Sequence, residues 1–253
     1  MSEIPPPFQD PSSYSNYPRE NPYQRPPGVY FDAIGQSWNL VKQNLGTWVL
    51  AILIFSVLFG GYEFAFISQT GGLNRSQPPN PANFLAFAPI GLIFGILSNV
   101  LLAGYFYMGV KQARNEKIEL ADIFFGFKKP LQIIAGAFLT GIVTVVGTCL
   151  CIVPGLYLSG LLLFVPLLIL DRNLGPVEAM QECWDKLKPH AWSIFALMFV
   201  TGLLAELGAC LACVGILFTL PIYFVTMGIT YNSFFPRESP NAAYQPIGYE
   251  PPR

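Results

Sequence analysis

The chain has 253 residues, 53% of them hydrophobic and 15% aromatic, while only 11% are charged. A soluble domain carries about a quarter charged residues, so this chain lacks the polar surface to meet water on every side, and the composition points to an integral membrane protein. A formal net charge of −1 with no dense basic tract gives nucleic acid no footing, and a single histidine, His190, leaves no multi-histidine metal centre or histidine-based catalytic cluster.

Residues 1–28 are rich in Pro, Tyr, Ser and Asn (PPPFQDPSSYSNYPRENPYQRPPG) and carry too little apolar surface for a packed core. They read as a disordered or polyproline II tail; the functional alternative is docking to a proline-binding module. The opening MSEIPPPFQD holds neither a basic n-region nor an apolar h-region, so the first span is expected to direct insertion. A helical membrane domain follows over 29–235, and 236–253 returns to the Pro/Tyr/polar chemistry of the first tail.

A bilayer core of about 30 Å needs roughly 20 apolar residues per helix. Six runs qualify: Thr47–Ile67, Phe84–Val110, Leu131–Ile152, Pro154–Leu170, Trp192–Cys213 and Val214–Tyr231. The fourth and sixth are short and follow their predecessors with almost no loop, which predicts two tight helical hairpins, the first turning at Pro154-Gly155. Pro89, Pro166 and Pro221 fall inside runs and are expected to kink helices. All Lys and Arg residues except Arg75 fall on one side of this arrangement. The positive-inside rule makes that side cytoplasmic and predicts a bacterial inner-membrane protein with both termini inside.

Three stretches before spans are amphipathic at helical spacing. They are Phe31, Ile34, Trp38, Val41 and Leu45; Leu120, Ile123, Phe124 and Phe127; and Val177, Met180, Trp184 and Leu187. The segment from Ala33 to Trp38 (AIGQSW) aligns with that from Ala179 to Trp184 (AMQECW), Lys42 falls against Lys188, and Gly147-Thr-Cys-Leu-Cys matches Gly208-Ala-Cys-Leu-Ala-Cys. The expected fold is therefore all-α: about six transmembrane helices built from repeated units of one interfacial amphipathic helix and two membrane helices. Tryptophan and lysine favour the lipid headgroup region for the amphipathic stripes.

An ordered set of residues resembles a known family. It runs through Asp122-x-Phe124-x-Gly126-Phe127-Lys128, then Gly147 with Ile152-Val-Pro154-Gly155, then Asp171-Arg-Asn-x-Gly175-Pro176-x-Glu178-Ala179, and on through Trp184, Lys188, Trp192, Gly208 and Gly215. The chain over Phe31–Phe235 resembles the membrane domain of bacterial glycerophosphoryl diester phosphodiesterases and related multi-span bacterial membrane proteins. The resemblance implies a multi-span helical fold in a bacterial inner membrane. It does not imply phosphodiesterase activity, because that chemistry belongs to a separate soluble domain, and no catalytic residue carries over.

Within the spans the ionisable side chains are Glu63 and Glu206. On a helix Gly202, Glu206, Ala209, Cys210 and Cys213 share one face, and small residues point such a face into the bundle. Glu206 then reads either as a proton, ion or substrate contact or as a protonated side chain satisfying a neighbouring backbone group. Cys149, Cys151, Cys210 and Cys213 fall at the outer turns of the two hairpins. They form either a thiol or metal cluster on an oxidising side or small apolar packing residues. Lys128-Lys129 and Asp171-Arg172 read as topology determinants, with contact to anionic headgroups as the functional alternative. Gly91-x-x-x-Gly95 permits close helix contact, within the bundle or with a second copy. No cofactor is implied. The expected partners are the lipid bilayer and a membrane-protein partner or second copy. The leading function is a non-enzymatic scaffold or accessory protein. A small transporter using Glu206 is the runner-up, and a lipid-modifying enzyme ranks last for want of a nucleophile–base pair.

Overall fold

The computed structural model describes residues 27–70, 81–210 and 215–237. Among these residues the regular structure is helical, with no strand. The elements are α1 (Ala33–Gln43), α2 (Leu45–Thr70), α3 (Pro81–Ala113), a 3-10 helix (Leu120–Lys128), α4 (Pro130–Leu150), α5 (Ile152–Leu161), α6 (Val165–Asp171), α7 (Pro176–Leu187), α8 (Ala191–Cys210) and α9 (Ile216–Phe234). Six helical segments are long and apolar enough to cross a membrane: Leu45–Ser68, Phe87–Ala113, Pro130–Leu150, Ile152–Asp171, Pro176–Gly208 and Ile216–Phe234. The chain is a multi-pass helical membrane protein. The two proline-rich tails and the loop holding Arg75 lie largely outside the described residues.

The bundle is organised on the α3–α9 pair, which cross with their backbones in contact. A Cβ on Gly109 would collide with the Phe224 carbonyl, and one on Gly228 would meet the Gly109 carbonyl carbon at 2.5 Å. Glycine is required at both positions because apolar lipid supplies no driving force between helices, and close backbone packing must. The 3-10 helix lies on α3 by the same device, with Gly104 under the Ile123 carbonyl and Gly126 against the Val100 carbonyl. Around this seam the aromatic side chains interlock: Trp48 and Tyr105 stack on Phe224 at centroid distances of 6.2 and 5.5 Å, and Phe164 meets Tyr231 edge-on at 5.7 Å. All five rings are buried.

Buried polar groups are satisfied across elements. Gln112, 2% exposed, accepts a hydrogen bond from Trp48 Nε1 and donates from Nε2 to the Leu40 carbonyl, tying α1, α2 and α3 together. Tyr105 donates to the Ala51 carbonyl at 2.6 Å, and Thr226 donates to Ser37 at 2.9 Å, linking α9 to α1. No buried side-chain nitrogen or oxygen among the described residues lacks a partner.

Both predicted hairpins form, with differences in detail. The first turns at Cys151, whose extended backbone (φ −165, ψ 148) separates α4 from α5. The turn is therefore not at Pro154-Gly155: Pro154 sits in the first turn of α5, where its missing N–H costs nothing. Gly155 packs backbone-to-backbone on α4, since a Cβ there would lie 2.8 Å from the Thr148 Cα. In the second hairpin Gly208 and Gly215 close on each other and on Thr219, while residues 211–214 lie outside the described set. Pro89 and Pro221 are carried inside α3 and α9. Pro166, in contrast, opens α6 and marks a boundary. The fourth span is thus broken at 162–164, and α5 alone, with 10 residues, rises about 15 Å, half of a bilayer core.

Candidate functional site: an ion-paired polar face

The ends of α3, α6 and α9 converge on Asp171. Arg114, one residue past α3, donates from Nη1 to Asp171 Oδ1 and from Nη2 to Oδ2, each at 2.8 Å. The side chains are 8% and 3% exposed, so this planar two-pronged pair is largely removed from water. Asn232 Oδ1 accepts from Arg114 Nε at 2.8 Å, and Tyr231 donates its hydroxyl to Asp171 Oδ2 at 3.1 Å. Arg237, beyond α9, donates to Asp171 Oδ1 at 2.8 Å and pairs with Glu116 at 3.2 Å. Partial burial opposes the charge on Arg237, but the hydrogen bond and charge of Asp171, then Glu116 and Tyr107, outweigh it and hold its guanidinium above the ordinary range.

A second layer fastens the amphipathic elements. Arg172 pairs with Glu182 at 2.8 Å and donates to the Pro236 carbonyl at 3.2 Å, while Lys186 reaches Glu182 at 3.0 Å. Lys111 places its ammonium 2.8 Å from both oxygens of Asp122, which also accepts from the Glu119 backbone N–H and caps the 3-10 helix. Glu178 caps α7 in the same way by accepting from the Gly175 N–H at 3.0 Å. Asn115 (φ 57) and Asn173 (φ 61) take left-handed turns at the two exits, a conformation asparagine tolerates better than most residues. The motif residues around Asp122 and Asp171 are thus explained as capping, pairing and turn residues.

Beside this network, α1, α3 and α9 enclose a cavity of about 230 Å³ that includes Gln36, Asn39, Asn115, Asn232 and Ser233 in its wall. Its polar side chains are amides and a hydroxyl, with Leu40, Ala113 and Ile229 completing it. Among the described residues no group of three or more His, Cys, Asp and Glu is placed to hold a metal ion. The carboxylates at the centre are bound to cations, so the arrangement fastens helix ends to one another.

The aligned halves of α1 and α7 have matching environments. Ala33, Ser37 and Val41 are the buried positions of α1, and their counterparts Ala179, Cys183 and Leu187 are those of α7. The aromatic members of the predicted stripes turn outward, Trp38 39% and Trp184 45% exposed with Phe31, Phe124 and Phe127, and Val177 joins them, whereas Val41, Ile123 and Leu187 of the same stripes are buried. Lys42 lies 4.8 Å above the Trp38 ring, Lys188 lies 5.5 Å above Trp184, and Lys128 lies 4.0 Å above Phe125. Ion pairs engage Lys111, Arg114, Lys117, Arg172, Lys186 and Arg237. Among the described residues, the cations with no carboxylate within ion-pair distance are Lys42, Lys128, Lys129 and Lys188 (Lys129 donates to the Ile169 carbonyl at 3.2 Å).

Of the residues singled out from the sequence, Glu206 lies on α8 but is exposed on the outside of the chain. In the half of that helix around Glu206 the inward positions are Thr201, Ala205 and Gly208, one step away from the stripe of small residues, and a Cβ on Gly202 would meet nothing within 4 Å. Cys149 and Cys151 are free and exposed at the first hairpin turn, and Cys183 is free and buried. The side chains of Cys210 and Glu63, and all of Cys213, lie outside the described residues, and the four-thiol grouping lies outside them as well. The Arg114–Asp171 centre was missed as a site from the sequence; its signal was an opposite-charge pair placed just past the ends of two apolar runs.

Comparison with known proteins finds no family model and no solved structure that matches. The chain is similar to the uncharacterized protein Rv2560 of Mycobacterium tuberculosis strain H37Rv, with 24% identity over 244 residues, spanning 87% of this chain and 73% of the relative. It is also similar to the uncharacterized protein Mb2590 of Mycobacterium bovis at 23% identity over the same shares of each chain.

Proposed function

We propose that the protein is a non-enzymatic membrane scaffold or accessory protein of a bacterial cytoplasmic membrane, with its polar face and both termini on the cytoplasmic side. The carrying observation is the division of labour among charges. Central carboxylates and arginines lock the helix ends together, while the amphipathic elements turn aromatic side chains and carboxylate-free lysines outward. That is a surface for contact with headgroups and neighbouring membrane proteins. The matching environments of α1 and α7 support a repeated unit of one amphipathic element and two membrane helices. The positive-inside count and the resemblance to the phosphodiesterase membrane domain support the bacterial inner membrane. The test is crosslinking in native membranes followed by purification and mass spectrometry. A stoichiometric partner is expected, and a protein that purifies alone at every crosslinker concentration overturns the reading.

The break at 162–164 favours a second reading, transport, because transporters bind substrate at interrupted helices. Its residue is Glu206, which lines none of the cavities described for this chain. Flux into proteoliposomes that is lost in Glu206→Gln would establish transport over the scaffold reading.

A further inference from the structure

A groove runs along the outside of α3 and α4, walled at one part by Ser159, Leu162, Leu163 and Pro166 of the α5–α6 segment. Two adjoining cavities make it, of about 340 and 350 Å³, both lined by Asn99 and Ala137. One continues past Ile133 and Gly141, the other past Gly91 and Gly95. The groove exists because its floor is small. A Cβ on Gly95 or on Gly141 would meet nothing within 4 Å, so these glycines are not used to bring two helices of this chain together. Both helices are membrane spans, and the groove therefore faces the bilayer.

Three of its polar wall groups, those of Thr140, Ser159 and Asn99, donate to carbonyls of their own helices. Thr140 Oγ1 donates to the Gly136 carbonyl at 2.9 Å, Ser159 Oγ to Leu156 at 2.7 Å, and Asn99 Nδ2 to Gly95 at 2.8 Å. The trough consequently offers an occupant apolar contact and little hydrogen bonding. One end is different. Gly126 of the 3-10 helix rests on the Val100 carbonyl, next to Asn99, and Lys128 and Lys129 follow it. Lys129 is the N-cap of α4, four residues before the groove-lining Ile133. Among the described residues neither lysine has a carboxylate partner: Lys129 donates to the Ile169 carbonyl, which leaves its charge unpaired, and Lys128 is poised over Phe125. An apolar trough with two uncompensated cations at one end complements an acyl chain attached to an anionic headgroup.

We infer that the α3–α4 groove is a site for one anionic phospholipid, its acyl chain in the trough and its phosphate at Lys128 and Lys129. This site does not depend on the scaffold reading. A partner's transmembrane helix is the competing occupant, and the test separates the two.

The full chain is reconstituted in phosphatidylglycerol or phosphatidylcholine nanodiscs, released into mild detergent, and its retained lipid counted by native mass spectrometry. Phosphatidylglycerol is expected to be retained over phosphatidylcholine by a factor on the order of ten or more. Gly95→Leu with Gly141→Leu fills the trough from two positions where a Cβ meets nothing within 4 Å, and is expected to abolish retention of the bound lipid. Lys128→Gln with Lys129→Gln is expected to remove the preference while leaving an acyl chain bound. Photolabelling of the unmodified protein by a phosphatidylglycerol carrying a diazirine on its acyl chain gives a reading independent of any variant, with label expected on α3 and α4 peptides. Equal retention of the two lipids, retention unchanged in the glycine variant, or label confined to other helices would each overturn the inference. A dimer or partner complex that the glycine variant dissociates, with no lipid retained by the unmodified protein, would assign the groove to a helix instead.

Discussion

Arg114 and Asp171 stand 57 residues apart in the chain and meet in a two-pronged ion pair with both contacts at 2.8 Å. A buried pair of this kind is costly to break from one side, because the surviving charge has no water to return to. Asp171→Leu, which leaves Arg114 without its carboxylate, is expected to destabilise the protein by about 3–5 kcal/mol, and Arg114→Leu by less, because Arg237 and Tyr231 still bind Asp171. The double variant is expected to lose less than the two single losses added together, since it leaves no orphaned charge. Denaturant unfolding in detergent micelles across the four-protein cycle measures the coupling; strict additivity would count against the pair.

The α3–α9 crossing predicts a contrast among glycines. Gly228→Ala must push the Gly109 carbonyl away, and a loss of about 1–3 kcal/mol is expected, as for other overpacked contacts. Gly35→Ala, at a helix position where a Cβ meets nothing within 4 Å, is expected to be neutral or stabilising by about 0.5–1 kcal/mol. Thermal unfolding of the two variants side by side checks the assignment of the seam.

Gln112 holds α1 and α2 to α3 through one side chain. Gln112→Leu leaves the Trp48 Nε1 proton and the Leu40 carbonyl to find other partners, and a loss of about 1–3 kcal/mol is expected. Gln112→Glu still offers Trp48 an acceptor but no longer donates to Leu40. Tryptophan fluorescence of the two variants is expected to separate the roles, with a larger Trp48 shift in the Leu protein.

Cysteine accessibility tests the topology directly. Cys149 and Cys151 are exposed at the α4–α5 turn, whereas Cys183 is buried on the inward side of α7. With both termini cytoplasmic, a membrane-impermeant maleimide added to intact cells is expected to modify Cys149 and Cys151. Cys183 is expected to react only after denaturation. Modification of Cys149 and Cys151 only after permeabilisation would reverse the orientation.

Glu206 is expected to be dispensable for the fold. Its side chain is exposed and takes part in no packing seam, so Glu206→Gln is expected to shift unfolding by no more than about 0.5 kcal/mol. A larger loss, read in the same micelle unfolding assay, would show that the carboxyl holds a contact within the protein.

That this is a multi-span helical membrane protein is legible in the chain's apolar runs alone. Apolar run length answers to bilayer thickness, and the runs ending near Ile67, Val110 and Leu170 reappear as helices with ends shifted by a few residues. The sequence also located the two hairpins and the amphipathic elements, because the periodicity of α1 and α7 is local. Tertiary structure decided which side of each element turns inward. A stripe of large apolar residues is normally buried in a soluble protein, but here Val41 is the fully buried member of its stripe, the bundle takes Ala33 and Ser37 beside it, whose small side chains allow close approach, and Trp38 turns outward. The same rule misdirects the reading of α8: small residues around Glu206 suggest an inward face, yet the helix is rotated so that Ala205 and Gly208 meet α9. Helix rotation is fixed by the sum of contacts with all neighbours, and no single stretch contains it. The Arg114–Asp171 centre is decided the same way. Each residue alone reads as a charge at a helix end, and only the convergence of α3, α6 and α9 removes both from water and makes them a pair.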